Sequence, residues 1–518
     1  MSISTTPWDG ADRRNSLLFV VALVVGSVLW RLSATWWSGA GLFVDEAQYW
    51  DWSRDLAWGY FSKPPVLPLL MRLSTWLAGD GLTGVRWLVV FLWTLTPLVL
   101  WRLTWEMLRD GTDWDAHSRL ISSAWAAALC CAMLAFALLG QVSTTDGPLL
   151  FFWSLLMWSL WRAQQSPDKL ASWFLVGLLL ALAILSKYTA MAAGASLLWL
   201  AWHLRQRWVW RGLFLALMVC AILLSPHLAW NHRYGWPTLR HTTELLGSGY
   251  GAETAVSWAS PLTYILSQAL LVGPVVLVVA LFWLILYQHK SPDKSLAKSE
   301  PAGRLSLMSW CWSWAWPIWL AGLLQTFWGK SQMNWPAPAL LALAMMMALW
   351  RGIRPSLRWS GPWLVWIAGS LVGATISLAG DWQQHLIPGS SGPRWDLWSR
   401  AKGWDSALLA MNPQLANYPN LQIVSSDRTL IAHATYAWRD QNRRVQAWSP
   451  TKAPAHHYEM VNPYDPKHSH NVGASVLMIS NEEKPWGHPW LEFFPHRHLL
   501  HRHTEAGRTV YLWKLDPQ

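Results

Sequence analysis

The chain has 518 residues, of which 53% are hydrophobic and only 13% charged, and 46 of them are Trp. That balance excludes an ordinary soluble domain, and recurrent apolar runs of about 20 residues indicate membrane spans. The formal charge of +11 does not indicate nucleic acid, because Lys and Arg gather in alternate short loops, as positive-inside topology requires.

The chain begins with Arg13-Arg14 ahead of an apolar run over Leu17–Trp37. That run is longer than the apolar core of a signal peptide and lacks a small-residue cleavage site, so it reads as an uncleaved first span. Further spans are expected near 84–104, 120–140, 148–162, 171–186, 188–204, 211–229, 262–287, 306–327, 337–351 and 361–380, about eleven in all. Residues 47–80 read as interfacial helices broken at Lys63-Pro64-Pro65. Arg102, Arg109, Arg205, Arg207, Arg211, Lys290, Lys294 and Lys298 share the side of Arg13. This places the N-terminus in the cytoplasm and the remaining loops and tail outside.

From about residue 381 the character changes, with more charge, more His and shorter apolar runs. Leu421–Ser425, Val445–Trp448 and Ser475–Ile479 read as strands and Asp427–Asp440 as a helix. His498–His501 and Thr509–Leu515 are expected to pair across Glu505-Ala506-Gly507. The fold class is therefore a polytopic α-helical membrane domain over 1–380, followed by a small α/β extracytoplasmic domain over 381–518. Cys130, Cys131, Cys220 and Cys311 all lie in apolar spans, so the tail has neither a disulfide framework nor a Cys-based zinc motif. Its alternating His and Arg read as a solvated strand face rather than a metal site.

Chemistry is expected where polar groups meet the outer boundary. Asp45 and Glu46 follow the first span, and carboxylates there are costly unless they meet water or a cation. A carboxylate in reach of an acceptor hydroxyl takes its proton as the nucleophile forms, while the alternative for the pair is helix N-terminal charge complementation. Asp146, in Thr144-Thr145-Asp146-Gly147-Pro148, is either a helix start or a group that holds Lys63 or Lys187 or orients an acceptor. Lys63, Arg86, Lys187, Arg240 and Lys330 are the outer cations that suit a phosphate, or else snorkel to headgroups. Tyr188, His227, Asn231 and Asn334 offer hydrogen bonds to a sugar or an acceptor.

Five stretches carry a resemblance: Phe43-Val44-Asp45-Glu46-Ala47-Gln48-Tyr49-Trp50, Trp58-Gly59-Tyr60-Phe61-Ser62-Lys63-Pro64-Pro65, Thr144-Thr145-Asp146-Gly147-Pro148, Leu185-Ser186-Lys187-Tyr188-Thr189 and Asn334-Trp335-Pro336-Ala337-Pro338. In order and spacing they resemble the bacterial branch of the dolichyl-phosphate-mannose protein mannosyltransferases, within the C-type glycosyltransferase superfamily. The aminoarabinose transferases that act on lipid A are more distantly similar. The resemblance implies a multi-span inner-membrane enzyme that takes a hexosyl or pentosyl unit from a polyprenyl-phosphate donor to a glycan, lipid or protein acceptor. It implies an acidic base in the first outer loop, which carries over to Asp45 with Glu46 beside it. This chain has Lys63 where relatives often carry His before the two prolines. No cofactor is required, and a divalent metal is compatible with the scheme. Two other classes fit the spans and outer cations: a lipid-linked-sugar flippase and a membrane scaffold. The paired broken helices common in transporters are not evident.

Overall fold

A computed structural model describes residues 10–111, 114–246, 259–288, 306–329, 331–351, 358–386, 396–441, 443–450, 453–468 and 472–517. Lys330, Lys290, Lys294, Lys298 and His470 lie outside these described residues.

In chain order the first helices are α1 (Gly10–Trp37), α2 (Val44–Trp52), α3 (Val66–Ala78), α4 (Leu82–Gly111), α5 (Ala116–Ala132), α6 (Leu134–Leu138) and α7 (Asp146–Gln165). There follow α8 (Leu170–Ser186), α9 (Ala192–Leu204), α10 (Arg207–Arg233), α11 (Pro237–Leu246), α12 (Ala259–Val272), α13 (Pro274–Gln288), α14 (Leu307–Gln325), α15 (Ala337–Arg351) and α16 (Ser360–Leu386). Every apolar stretch expected to span falls on helix. By length and composition, α1, α4, α10 and α16 are each long and apolar enough to cross a membrane, and counting each of two bent pairs as one span brings the number to six among the described residues. Among the other expected spans, α8 has 17 residues and α15 has 15, about 25 Å of helix or less against about 30 Å of hydrocarbon, while α7 and α14, with 20 and 19 residues, are long enough but less apolar.

The chain divides into two compact units. The first comprises Met1–Ala34, Lys63–Leu67 and Arg86–Thr375. Its helices pack as α7 on α8, α8 on α10, α14 on α15 and α15 on α5. Small residues permit these approaches, as is usual between helices in lipid. A Cβ on Gly177 would run into the Ala216 carbonyl, and one on Gly212 into the Trp173 ring. The α5–α6 break bends by 66° at Met133, whose ψ of 135° is extended. The α12–α13 break bends by 92° at Gly273, where φ is +82° and a proline follows. A Cβ on Gly273 would lie 2.9 Å from Leu134 Cβ, so the second bend sits against the start of α6.

The second unit comprises Thr35–Ser62, Pro68–Val85 and Ile376–Gln518, so the first outer loop folds with the tail. The tail adds α17 (Trp404–Leu409), α18 (Asn412–Ala416), β1 (Ile423–Ser425), α19 (Arg428–Ala437), β2 (Val445–Trp448), α20 (His457–Val461), β3 (Pro463–Tyr464), β4 (Val476–Ser480), β5 (His496–Glu505) and β6 (Arg508–Asp516). One sheet runs β3-β2-β1-β4-β6-β5. The first four strands are parallel, and β6 and β5 are antiparallel additions. All five residues of β4 are buried, as a central strand requires. The β5–β6 hairpin turns at Ala506 and Gly507, both with positive φ (47° and 75°), which matches strand twist.

The first outer loop is fastened to this sheet layer by α2 packing on α19. Trp50 lies edge-on to Tyr436 at 5.1 Å, and its indole N–H donates to Asp80 Oδ1 at 2.8 Å. Trp52 stacks on Tyr60 at 4.6 Å, and His457 leans on both rings.

Candidate active site

The first unit gathers Asp146, Lys187 and Asn334 from three separated stretches. Asp146 opens α7, where the helix dipole favours a carboxylate. Gly147 must be small there, since a Cβ would lie 2.6 Å from Val89 and 2.9 Å from the Trp93 indole nitrogen. Lys187 directly follows α8 in an extended conformation, which ends the helix and frees the side chain to turn inward. Its ammonium donates to Asp146 Oδ1 at 2.6 Å, and Asn334 Nδ2 donates to Oδ2 at 2.9 Å. The Lys187 and Asp146 side chains are only 10% and 3% exposed. An ion pair this buried survives only when its remaining hydrogen bonds are also made. Asn334 supplies one of them. Of the two cations that Asp146 was expected to hold, the structure thus pairs it with Lys187.

A second polar cluster in the same unit starts one residue on. The Tyr188 hydroxyl lies 2.9 Å from His227 Nε2, and Asn231 Nδ2 lies 3.1 Å from the same nitrogen. Asn231 also donates to the His227 carbonyl and accepts from the Thr238 hydroxyl. His227 and Asn231 are four residues apart on α10, hence on one face, and both are buried. Arg86 is fully buried and Lys63 partly so. Arg240, on α11, donates to the Gly235 carbonyl just ahead of that helix at 3.1 Å. Arg31 is a further buried cation of this unit. It is buried near the end of α1 and donates to Thr94 Oγ1 at 3.1 Å and the Phe136 carbonyl at 2.9 Å. An arginine inside an apolar run was the available signal.

The second unit holds Asp45 and Glu46, and it separates their environments. Glu46 is buried, and its Oε2 accepts the Phe43 N–H at 3.0 Å, so this carboxylate caps the start of α2. Asp45, the next residue toward the N-terminus, is 55% exposed and lies 3.4 Å from Arg428 Nη2. The other arm of Arg428 donates to Gln48 Oε1 at 3.1 Å. Arg428 opens α19, whose cap Asp427 accepts Thr429 N–H at 2.7 Å and Asn481 Nδ2 at 2.7 Å. The guanidinium is therefore delivered to Asp45 by an anchored helix start. Further along α2, burial raises the Asp51 carboxyl to about 6, against the opposing pull of Arg444. Burial holds His457 down near 3, with His456 adding to the effect, and holds His433 near 3. Among the described residues no three His, Cys, Asp or Glu side chains converge as a metal site.

Comparison with known proteins shows what this chain is similar to. Residues 62–230 match the profile described as dolichyl-phosphate-mannose-protein mannosyltransferase. The lipid A galacturonosyltransferase RgtD of Rhizobium johnstonii is 26% identical over 450 residues, covering 84% of this chain and 86% of that protein. The chain is thus similar to the protein mannosyltransferases over residues 62–230 and to a lipid A galacturonosyltransferase over most of its length. The fold agrees. ArnT from Cupriavidus metallidurans bound to undecaprenyl phosphate superposes with a TM-score of 0.60 at 14% identity, over 95% of this chain and 97% of that one. Its apo state gives 0.60 at 13% identity, over 96% and 98%. The resemblance seen in the five motifs therefore holds. The profile match covers Lys63 and the motifs that contain Asp146 and Lys187, while RgtD in sequence and ArnT in fold extend the similarity through most of the chain.

Proposed function

We propose that the transferase moves a hexosyl or pentosyl unit from a polyprenyl-phosphate donor to a glycolipid at the outer face of the bacterial inner membrane. About eleven spans, a cytoplasmic N-terminus and an outward tail complete the proposal. The observation that carries it is the buried Lys187–Asp146–Asn334 cluster inside a chain similar, over most of its length, to a lipid A galacturonosyltransferase. A buried ammonium already held by a carboxylate is a preorganised positive group, and such groups act where negative charge develops. Undecaprenyl phosphate bound to the structurally similar ArnT supports the donor class.

In this scheme the acceptor hydroxyl attacks the anomeric carbon and the bond from that carbon to the phosphate oxygen breaks. The electron pair leaves with the polyprenyl phosphate. Lys187 carries the phosphate, with Lys63, Arg86, Arg240 and Lys330 as further cationic contacts. Asp45 takes the hydroxyl proton, and Glu46 fixes the helix start that presents it. Asp146 holds Lys187, while Tyr188, His227, Asn231 and Asn334 address the sugar or the acceptor. A single displacement inverts the anomeric centre. No redox group is needed, since one glycosidic bond forms as another is broken, and a divalent metal is compatible with the scheme.

Mass spectrometry of envelope lipids from a deletion strain tests this reading. A sugar lost on deletion and restored by the wild-type gene, but not by Asp45→Asn, is the expected result. An unchanged envelope with lipid-linked sugar retained on the cytoplasmic leaflet would instead indicate a flippase.

A further inference from the structure

The second unit contains a cavity of about 490 Å³ that none of the roles above uses. Its size falls within the range of about 300–1,000 Å³ typical of small-molecule sites. The wall includes Trp36, Leu42, Asp405, Ser406, Tyr436 and Arg439. Asp405 stands at the start of α17, and its carboxylate has no hydrogen-bond partner among the described residues. Burial raises its pKa, with Arg439 pulling the other way. The Arg439 guanidinium lies over the Tyr436 ring at 4.4 Å and donates once to the Tyr436 carbonyl, leaving other donors for a ligand.

This lining is selective. One guanidinium and one carboxylate leave little net charge, which disfavours a free phosphate or another small anion. A carboxylate that accepts, a guanidinium that donates, hydroxyls from Thr35 and Ser406, and an aromatic face from Trp36 match a polyhydroxylated ring. Trp36 also locates the cavity. It is 73% exposed and, with Trp37 at 69%, it ends the apolar helix α1, as aromatic residues do at headgroup level.

The cavity is also tied to the stretch that carries Asp45. Leu42 lines it, and α2 with Asp45 begins two residues later. Helix α19 brings Arg428 to Asp45 at its start and Tyr436 to the cavity near its end, about 12 Å along the axis. That offset is too long for one bound group to fill both positions.

We propose that this cavity is a saccharide subsite, which holds a sugar unit of the glycolipid acceptor remote from the reacting hydroxyl. The inference rests on the transferase reading above. It predicts that acceptor recognition is divided between the end that reacts and a distal sugar read by Asp405 and Arg439.

Steady-state transfer by the full-length protein tests it, using lipid acceptors with a disaccharide and with a single-sugar headgroup. Asp405→Asn and Arg439→Gln, each losing a charged hydrogen bond, and Ser406→Trp, which fills the cavity, should each raise KM for the disaccharide acceptor about tenfold. The turnover number and donor KM should stay within about twofold of wild type, and the single-sugar acceptor should not distinguish the variants. An unchanged KM for the disaccharide acceptor, or equal losses with both acceptors, overturns the subsite. Should a variant fail to fold, saturation-transfer NMR with glucosamine disaccharide decides. Wild type and Asp45→Asn should both bind the sugar, and absence of binding to these folded proteins overturns the proposal. The two readings separate cleanly. Full turnover by Asp45→Asn alongside the predicted KM pattern removes the base assignment and keeps the subsite. A dead Asp45→Asn with flat KM values does the reverse.

Discussion

The two polar regions differ in how their charges are housed. In the first unit Asp146 and Lys187 are nearly inaccessible and already satisfied by each other and by Asn334. In the second unit Asp45 stands more than half exposed, with one longer contact to Arg428. A group that must hold charge benefits from burial, a fixed partner and a helix terminus. A group that must take a proton from an incoming hydroxyl needs an open lone pair, and Asp45 has one. The adjacent Glu46 shows the contrast within a single turn, because its oxygen is occupied by the Phe43 N–H. Burial and pairing thus suit the organising role proposed for Asp146 and Lys187, and exposure suits the proton transfer proposed for Asp45.

Substitutions can break that comparison. The largest effect is expected at Asp45→Asn, which keeps size and removes the base, with turnover falling by about 10²–10⁴-fold. Glu46→Gln should retain most activity, since an amide oxygen also accepts from Phe43, and parallel rate measurements would expose any reversal of the two roles. Next comes Asp146→Ala, which strands a buried ammonium and should cost about 3–5 kcal/mol in stability. Thermal unfolding in detergent reads this loss. Lys187→Ala should chiefly raise donor KM, and a fall in turnover with unchanged donor KM would contradict the phosphate role. Asn231→Leu, which breaks the contacts to His227 and Thr238, should cost about 1–3 kcal/mol by the same unfolding assay. Arg428→Gln should change stability by no more than about 1 kcal/mol, since its pairing with Asp45 is exposed.

The pH dependence of the second unit sharpens the contrast further. His433 and His457 are held near 3, so the unfolded chain binds protons that the folded one refuses. Their contribution therefore falls as pH drops below the ordinary histidine value of about 6.5. Asp51, raised to about 6, acts oppositely: its contribution is complete below about 4 and is lost as pH rises through 6. Melting curves between pH 7 and 4.5 should show acid destabilisation that deepens in Asp51→Asn and lessens in His457→Asn. Equal slopes in all three proteins would contradict the burial argument.

Much of this was legible in the sequence where the signal is local. Apolar runs located the helices of the first unit, and alternation around Glu505-Ala506-Gly507 located the β5–β6 hairpin. Val445–Trp448 forms a strand over its expected bounds. Lys187 was one of two cations named for Asp146, and α7 packing on α8 decides between them. Other features depend on contacts that spacing does not reveal. Arg428 reaches Asp45 across 383 positions, and nothing near either residue announces the other. The grouping of residues 35–62 with the tail has the same origin, since it comes from α2 packing on α19 and from His457 packing on Trp52 and Tyr60. Arg31 was visible as a charge in an apolar run, but its burial against Thr94 and Phe136 emerges only when α1, α4 and α6 are assembled.

The most direct test of the account is sugar transfer by the purified full-length protein from a polyprenyl-phosphate sugar to envelope glycolipid, with the product identified by mass spectrometry. Wild type should yield a glycosylated lipid and Asp45→Asn almost none, although both proteins melt at the same temperature. Equal product from the two proteins would contradict proton transfer to Asp45, and no product from a folded wild type would contradict the transferase reading with this donor and acceptor.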